Sequence, residues 1–569
     1  MHKRAVFISV LIAILLPVAV YLRVWDYYAV NIAKWDDHVL KRTLLDYLQV
    51  KNLGELIGVL SVQHNEHRIF LTRLAAICDY AYFGQLDYKH LMFFGNLLLL
   101  SVIFLWWRLL RHNGKSLFAL VPVALLWPTL ANWENMYWGM ASIQNFGVVT
   151  LTLATLYWCL KGPWSYLAAG LVTAALAAFS SGNGLLALPI ASALLFLSRE
   201  PKKGAVTLAA TLLTFVLYFY TYVKPDYNPE SRAGAWMLFK GYMAFIGSFA
   251  EVFPVKGRQD TSVVFGVILF LVSISIVSTT TFRLLRNQYK EHYLKVTDAF
   301  CLGVMLFILA TAAIVVWGRA GFGLEVLLTS RYKIYSFLLL INAYLFIVIP
   351  IRGSFYHPYV SGVAVLCLLF NVFSYHYYLV DAYNLRKFMI TSYFNQVYDN
   401  KELNPFTADT TEAHGLVAKP ALFYERFLPL IQNLTNGKTT GNLQPQVNSI
   451  AGNTKVIVDE HRIKVENESD PSQRLQDSGV YLLLSNARRY YLVPTFRERN
   501  RNRKQLFFKQ QYFARGFHSE HPFDGLELDP GRYGYGLVLQ KGDSTGIMMY
   551  KDSLSIPEYA AGVRIKTNW

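Results

Sequence analysis

The feature that most limits the folds open to this chain is a series of apolar runs that ends near residue 380. A membrane-spanning helix needs about 20 mainly apolar residues. Eleven runs come close to this length, and charged residues, 16% of the chain against about 25% in soluble domains, are scarce inside them. We therefore expect eleven spans, at residues 5–22, 90–107, 116–131, 142–160, 164–180, 184–198, 205–223, 261–281, 298–317, 334–350 and 356–375.

Some of these runs are open to another interpretation. The first follows Met1-His2-Lys3-Arg4 and could be a secretory signal. It is long for a signal core, and no small-residue cleavage site follows it, so we interpret it as an uncleaved span. The short runs on either side of residues 180–184 could be two spans or one broken helix.

Basic residues give the predicted spans a direction. If the N-terminus lies in the cytoplasm, the short outer loops at 132–141 and 180–184 carry no lysine or arginine. An odd number of spans then places the C-terminus outside, and we expect a multi-pass protein of the inner (cytoplasmic) membrane. The net charge of +17 needs no nucleic acid as a partner, because many basic residues fall in inner loops, as the positive-inside rule requires. They are Arg108, Arg111, Lys115, Lys161, Arg199, Lys202, Lys203, Arg283, Arg286, Lys290, Lys295 and Arg352.

A change in composition after the last span divides the chain into three predicted parts. Residues 1–380 form a membrane domain, whose long outer loop at 23–89 carries apolar residues at helical spacing that predict amphipathic surface helices. Residues 381–440 are expected to be a helical connector that ends in a linker at 437–441. Residues 441–569 predict a small β-rich outer domain, because alternating runs occur at 455–458, 480–484, 535–539 and 546–550.

Ionisable residues are nearly absent from the interiors of the predicted spans, and polar residues collect at their outer ends. The first polar cluster contains Asp36 and Asp37, shortly after the first span. A carboxylate there could act as general base on an acceptor hydroxyl, or bind a divalent cation. The pair could equally cap the helix that begins near Val39, since aspartate is a favoured N-cap.

Two further clusters lie in the outer loops. In Gln63-His64-Asn65-Glu66-His67-Arg68 the two histidines could share a helical face, but a zinc site would need ligands that we cannot identify. Glu134 lies among aromatic residues in a loop that runs on to Gln144, where a carboxylate is hard to bury without a cation. The structural alternatives are a helix start for the first run and interfacial anchoring by Tyr and Trp for the second.

Two arginines form the fourth cluster. Arg319 and Arg331, the latter followed by Tyr332, lie at the outer ends of neighbouring spans, where positive charge is otherwise discouraged. The planar guanidinium suits phosphate, and a lipid-linked phosphate would be a fitting partner. The alternatives are snorkelling anchors or ion pairs with an acid such as Glu325.

In these clusters the chain resembles the GT-C superfamily of integral-membrane glycosyltransferases. Their plan is many spans, a long first outer loop with acidic residues just after span one, and often a soluble outer C-terminal domain. Asp36 and Asp37 occupy the position of that acidic motif. Over about residues 1–380 the chain is also similar to a group of bacterial membrane proteins, in Trp35-Asp36, His64-Asn65-Glu66-His67-Arg68-Ile69, Thr72-Arg73-Leu74, Trp133-Glu134-Asn135 and Thr329-Ser330-Arg331-Tyr332.

The resemblance implies transfer of a sugar from a polyprenyl-phosphate carrier to a glycan, lipid or protein acceptor at the outer face, as in cell-envelope polysaccharide synthesis. It implies that Asp36 or Asp37 is the base and that Arg319 and Arg331 bind the donor phosphate. Glu66 and Glu134 would hold the acceptor, a metal or an arginine, so a divalent cation is the one cofactor that the site could use. The remaining expected substrate-binding residues are His67, Arg68, Gln144 and Tyr332.

Two other function classes make different demands on the chain. A lipid or glycan transporter would need polar residues along a path through the membrane, which the span interiors lack. A non-catalytic membrane protein that presents a glycan-binding β domain would leave the polar clusters scattered in space. In the tail, the basic residues at 497–504 could face anionic lipid or acidic glycan, or form a solvated loop.

Overall fold

The computed structural model forms two compact units. The first holds residues 2–27 and 40–378, and the second holds residues 28–39 together with the described residues after 378. The structure describes residues 2–225, 232–253, 257–287, 289, 292–399, 415–420, 439–471, 473–474, 478–487, 489–523, 528–542 and 544–558.

The described part of the first unit is mainly helical and contains one short hairpin, β1 (Gln63–His64) and β2 (His67–Arg68). The helices are α1 (His2–Tyr28), α2 (Val39–Tyr47), α3 (Leu53–Ser61), α4 (Phe70–Phe83), α5 (Tyr88–His112), α6 (Val121–Leu126), α7 (Trp133–Met136), α8 (Gly139–Ala141), α9 (Gly147–Leu160), α10 (Trp164–Ala178), α11 (Ala187–Leu197), α12 (Pro201–Phe219), α13 (Ala235–Ile246), α14 (Arg258–Arg286), α15 (His292–Arg319), α16 (Leu324–Leu327), α17 (Lys333–Val348) and α18 (Tyr356–Asp399), whose last part belongs to the second unit. Short 3-10 turns join several of them, and a π-helical turn, Ser142–Phe146, joins α8 to α9.

Eight helical segments in the described part of the chain are long and apolar enough to cross a membrane. They are Arg4–Tyr28, Tyr88–His112, Gly139–Leu160, Pro201–Phe219, Arg258–Arg286, Tyr293–Phe322, Ser330–Val348 and Gly353–Asn395. A ninth candidate is a pair of helices, Leu117–Leu126 and Leu130–Met136, which are bent by 42°. The chain is therefore mainly helical, with several apolar helices of the kind found in membrane proteins.

Three of the eleven predicted spans differ from a full-length helix. The run at 116–131 is the bent pair, with Pro128 in the break. The runs at 164–180 and 184–198 form α10, of 15 residues, and α11, of 11. Both are shorter than the roughly 20 residues of a straight span. The turn between them is tight, because a Cβ on Gly184 would lie 2.0 Å from the carbonyl oxygen of Ala177.

Close backbone contact fixes α13 against α14. A Cβ on Gly266 would lie 1.8 Å from the carbonyl oxygen of Met243, and a Cβ on Gly247 would lie 1.9 Å from that of Ser262. A larger residue at either glycine would separate the two helices. Small residues at such contacts are typical of helices that pack within membranes.

The described strands of the second unit form two antiparallel sheets. The five-stranded sheet has the order β3-β10-β9-β6-β7 and the three-stranded sheet has the order β4-β5-β8. The strands are β3 (Thr439–Gly441), β4 (Lys455–Val458), β5 (Arg462–Asn467), β6 (Ser478–Ser485), β7 (Tyr490–Pro494), β8 (Phe517–Pro522), β9 (Gly531–Lys541) and β10 (Ser544–Ile556). Two helices, α19 (Gln444–Ala451) and α20 (Arg503–Lys509), accompany them. The predicted β-rich region is confirmed, and all four alternating runs lie in strands.

The larger sheet is covered by apolar groups on both faces. Side chains alternate along a strand, and in β6 Val480 and Leu482 join the core shared with α19, β5 and β8. Tyr481 and Leu483 face the other way, towards the end of α18. The run at 480–484 is therefore a strand but does not alternate in polarity as expected, because both of its faces are buried.

Residues 28–39 belong to the second unit. They were predicted to be part of the long outer loop of the membrane domain. Val30 and Ile32 pack in the cluster formed by the end of α18 and the larger sheet, and Asn31 Nδ2 donates to the carbonyl oxygen of Ala418 at 2.9 Å. Burial of these apolar side chains holds the segment there.

The predicted connector at 381–440 is only partly within the described residues. Its first part is the continuation of α18 to Asp399, whereas 400–414 and 421–438 lie outside the described residues. In the predicted linker at 437–441, residues 439–441 form the strand β3, which pairs with β10. The linker prediction is wrong there, because backbone pairing alone can make a strand of small polar residues.

Candidate functional site

A tight hairpin carries Glu66 in the first unit. His64 pairs with His67, so the turn has two residues, and Asn65 takes its first corner with φ +50°. Asparagine tolerates this left-handed conformation better than most residues. The amide of Gln63 holds the hairpin to the chain after α12, since Nε2 donates to the carbonyl oxygen of Val223 at 2.6 Å and Oε1 accepts its N–H at 2.9 Å.

Two buried arginines fix the base of this hairpin. Arg68 donates from Nε to the carbonyl oxygen of Tyr218 at 2.9 Å, from Nη2 to Thr221 Oγ1 at 2.9 Å, and from Nη1 to the carbonyl oxygen of Ser61. Arg73 donates to the next carbonyl, that of Val62. Ser61 and Val62 lie at the C-terminal end of α3, where cations complement the helix dipole. Burial lowers the pKa of Arg73 to about 10, against the opposing effect of Asp46. These contacts make Arg68 a positioning residue.

Glu66 forms an ion pair with Arg319. Arg319 is the last residue of α15, where the partial negative charge of the helix terminus favours a cation. Both side chains are partly accessible, with 35% of Arg319 and 28% of Glu66 exposed. Beside them, Nδ1 of His67 accepts the N–H of Gly182 at 3.3 Å, so the neutral ring carries its proton on Nε2.

Glu134 and Arg331 form the second acid–arginine pair, with 3.7 Å between Oε1 and Nε. The pair is more buried, with 9% of Glu134 and 19% of Arg331 exposed. Two turns hold it: the N–H of Glu134 donates to Ser330 Oγ at 3.1 Å, and Asn135 Nδ2 donates to the carbonyl oxygen of Arg331 at 3.1 Å. The guanidinium also lies 5.8 Å from the rings of Trp138 and Tyr332, within reach of cation–π attraction.

Gln144 lies in the π-helical turn Ser142–Phe146 and is buried. Single π turns inside α-helices are frequent at functional sites. This turn is packed against α5, because a Cβ on Gly95 would lie 2.4 Å from Ser142 Oγ. Asn145, in the same turn, donates to Asn135 Oδ1 at 2.8 Å, which ties the turn to α7 and so to Glu134.

A chain of contacts joins the two acid–arginine pairs within the first unit. The ring of Phe245 lies 5.7 Å from that of Tyr332 and 5.8 Å from that of Tyr335. The Tyr335 hydroxyl accepts from Asn183 Nδ2 at 2.7 Å, and Asn183 follows Gly182, the partner of His67. Glu66, His67 and Arg319 thus form one group and Glu134, Arg331 and Tyr332 another, and the series that joins the two groups passes through the apolar ring of Phe245.

Arg319 and Arg331 do form ion pairs, but with Glu66 and Glu134 rather than with the suggested Glu325. Glu325 accepts instead from Gln259 Nε2 at 3.3 Å. A third pair was not predicted from the sequence: Lys333 Nζ lies 2.6 Å from Glu251 Oε2 and 4.9 Å from the ring of Tyr378. Lys333 is 4% exposed. Its position two residues after Arg331, at the start of an apolar helix, was the available signal.

Both predicted catalytic carboxylates lie in a 3-10 turn, Trp35–His38, of the second unit. Asp37 is fully buried, and its Oδ2 accepts the N–H of Lys34 at 3.0 Å. Trp35 takes φ +47°, an uncommon backbone conformation for a non-glycine residue, and Lys34 Nζ lies 4.2 Å from its ring. Asp36 is partly exposed. Asp37 therefore closes its own 3-10 turn through the N–H of Lys34, and Asp36 is the more accessible acid.

The described residues contain no group of three or more His, Cys, Asp or Glu side chains arranged to hold a metal ion. His64 and His67 face each other across the hairpin as register partners rather than along a helix. The helical face proposed for them is therefore wrong, because the chain reverses at Asn65 and Glu66.

Comparison with known proteins identifies no relative. No family model matches this chain, and neither a curated protein nor a solved structure matches it.

Proposed function

We propose that this chain is an integral-membrane glycosyltransferase of the GT-C type, which transfers a sugar from a polyprenyl-phosphate carrier to a glycan, lipid or protein acceptor. The observation that carries the proposal is the pair Arg319 and Arg331, each next to the end of an apolar helix and each held by a glutamate. A guanidinium that is already oriented by a carboxylate loses little side-chain entropy when a phosphate replaces that carboxylate as its partner.

The two arginines have different proposed tasks because their accessibility differs. Arg319, at 35% exposed, is open to a ligand and would receive the donor phosphate directly. Arg331, at 19% exposed and held between Glu134 and aromatic rings, would add positive charge near the site and position its neighbours. Glu66 would then be released from Arg319 as the phosphate binds.

The proposed reaction moves charge from the base to the leaving group. The acceptor hydroxyl attacks the anomeric carbon of the sugar and gives its proton to a carboxylate. The bond between that carbon and the phosphate oxygen breaks, and the released polyprenyl phosphate carries one more negative charge than the donor did. Arginines placed beforehand at that phosphate stabilise the growing charge and so lower the barrier.

We assign the role of base to Asp36. Asp37 is fully buried and holds the backbone of its own turn, so protonating it would disturb the turn. Asp36 lies in the same turn after the first apolar helix and is partly exposed. The assignment of Asp36 as base rests on the resemblance, which also implies that the reaction takes place on the outer face of the membrane.

Sugar transfer by the purified full-length chain in lipid nanodiscs tests the proposal, with a set of labelled polyprenyl-phosphate sugars as donors. Asp36→Asn should lower the rate at least about a hundredfold, the lower range for loss of a general base. Asp37→Asn should lower thermal stability more than it lowers the rate per folded molecule. Asp552→Asn is the control, since Asp552 is exposed in β10 of the same unit.

Two results would overturn the proposal. Full turnover by Asp36→Asn would remove the base, and a folded wild-type chain that transfers sugar from none of the donors would remove the reaction.

A further inference from the structure

The most exposed large apolar side chains in the described part of the second unit are two adjacent phenylalanines on α20. Phe507 is 74% exposed and Phe508 is 87% exposed, and the next such residue there, Ile457, is 46% exposed. Two neighbouring aromatic rings in water are costly, because each could bury a large apolar area. Exposed apolar groups of this kind mark sites of interaction.

A built support presents these rings. Asn502 caps α20, and its Oδ1 accepts the N–H groups of Lys504 and Gln505 at 3.1 and 3.2 Å. Asn500 joins the two ends of the segment, since its Nδ2 donates to the carbonyl oxygen of Gln511 at 3.0 Å and its N–H donates to that of Tyr512 at 2.8 Å. Tyr512 is buried. The phenylalanines therefore project from a fixed base.

Cations surround the two rings. The side chains of Arg501, Arg503, Lys504 and Lys509 are exposed, and Arg501 is 86% exposed. Glu498 offsets one of these charges at 3.8 Å, and it is itself 62% exposed. Arg497 does not contribute, because it is buried in an ion pair with Asp470. The basic cluster of the sequence thus separates into a buried residue and an exposed cationic surface.

We infer that α20 and the residues beside it (501–509) form a docking surface for an anionic lipid bilayer. The two phenylalanines would enter the headgroup region, and the four cations would bind lipid phosphates. An apolar face bordered by lysine and arginine is the usual composition of a surface that binds at the membrane interface. An acidic glycan would also use the cations and could stack on a ring, but it would not carry the rings into a bilayer, so the depth of the rings distinguishes the two ligands.

The chain also links this surface to an apolar helix of the kind that crosses membranes. The helix α18, which carries apolar sequence from Gly353 onwards, continues into the second unit without a break. A surface tethered to a membrane protein meets lipid at a high effective concentration, so modest intrinsic affinity suffices. Each cation should favour the docked state by about fivefold at an anionic surface.

The depth of a nitroxide label tests this inference in the full-length chain. Cys78 is exposed and the other cysteines are buried, so Phe508→Cys in a Cys78→Ser background gives one accessible thiol. Lys551→Cys, at an exposed position of β10, is the control label. Each labelled chain is placed in nanodiscs of phosphatidylcholine alone or mixed with phosphatidylglycerol, and collision with oxygen is compared with collision with a water-soluble nickel chelate.

The label at 508 should be immersed in the anionic nanodiscs, whereas the label at 551 should stay in water. Replacing Arg501, Arg503, Lys504 and Lys509 by glutamine should return the label at 508 to water without lowering the thermal midpoint. A label at 508 that stays aqueous in anionic nanodiscs would overturn the inference, whether or not the chain binds a soluble acidic polysaccharide. If the label at 508 is equally immersed with and without anionic lipid, and with and without the glutamine substitutions, the proposed role of the cations is wrong. Burial of the label that depends on protein concentration in detergent would indicate a second copy instead.

Discussion

Arg68 and Arg319 carry the same guanidinium in different surroundings. Arg68 is 3% exposed and donates to two backbone carbonyls and one hydroxyl. Arg319 is 35% exposed and pairs with Glu66. The first can leave its partners only if the hairpin opens, whereas the second can exchange a carboxylate for a phosphate. The sequence placed both arginines in candidate sites, because residue type and spacing contain no information on burial.

This difference predicts opposite outcomes for the same conservative change. Arg319→Lys keeps a positive charge near Glu66 but loses the planar fork, so sugar transfer should fall about tenfold or more while the thermal midpoint stays close to that of the wild type. Arg68→Lys should lower stability by about 1–3 kcal/mol, because buried carbonyls lose their donors. Transfer rates and thermal unfolding of both variants check this. Loss of folding by Arg319→Lys, with normal transfer per folded molecule, would indicate a structural role for that pair.

The strand β8 contains a histidine that the fold keeps uncharged. Burial lowers the pKa of His521 to about 4, and hydrogen bonding to Pro494 and the charge of Glu520 oppose this only in part. The ring lies 5.7 Å from that of Phe496. Nε2 finds no hydrogen-bond partner within the described ranges. His521, in the smaller sheet, therefore binds a proton more readily in the unfolded chain than in the folded one.

The sign of the pH dependence follows from this. The pKa of His521 is about 4 in the folded chain and near the ordinary 6.5 in the unfolded chain, so acidification favours unfolding. Its contribution to stability is complete above about pH 6.5 and is lost as the pH falls towards about 4. Hydrogen exchange at β5 and β8, corrected for intrinsic rates, should accelerate between pH 7 and pH 5, and His521→Gln should reduce the effect. An equal pH response in the variant would contradict the assignment.

Local patterns predict elements well where one periodicity dominates. The apolar runs became helices and the alternating runs became β4, β6, β9 and β10. Such patterns located the break at 180–184 but could not show how tightly the chain turns there, which depends on the close approach of Gly184 to the carbonyl of Ala177. They also could not identify β3, whose small polar residues are held by backbone bonds to β10.

At the scale of the whole molecule, the most consequential surprise is the membership of residues 28–39 in the second unit. Val30 and Ile32 bury their side chains against residues such as Phe394, Leu483 and Val538, which follow several hundred residues later in the sequence. A single sequence contains no signal that joins positions so far apart. The acidic turn could therefore be recognised from its composition. The distant residues that pack against the segment carrying it could not be identified from the sequence.

Removing the second unit should therefore disturb the turn that carries Asp36. In a chain that ends at Tyr378, amide exchange at residues 30–38 should become fast, and sugar transfer should fall to the level of Asp36→Asn. A chain that ends at Glu558 keeps β10 and is the matched control. Slow exchange at 30–38 in the shorter chain would show that the first unit alone holds the turn.

The same arrangement fixes the order of events while the protein is being made. Residues 28–39 leave the ribosome before the residues that complete their unit, which begin about 340 positions later. At about 5–20 residues per second this delay is roughly 17–70 s. During that time Val30 and Ile32 lack their native cover and can contact a chaperone, the insertion machinery or lipid. The turn that carries the proposed base can therefore be assembled only after the chain has been synthesised into the second unit.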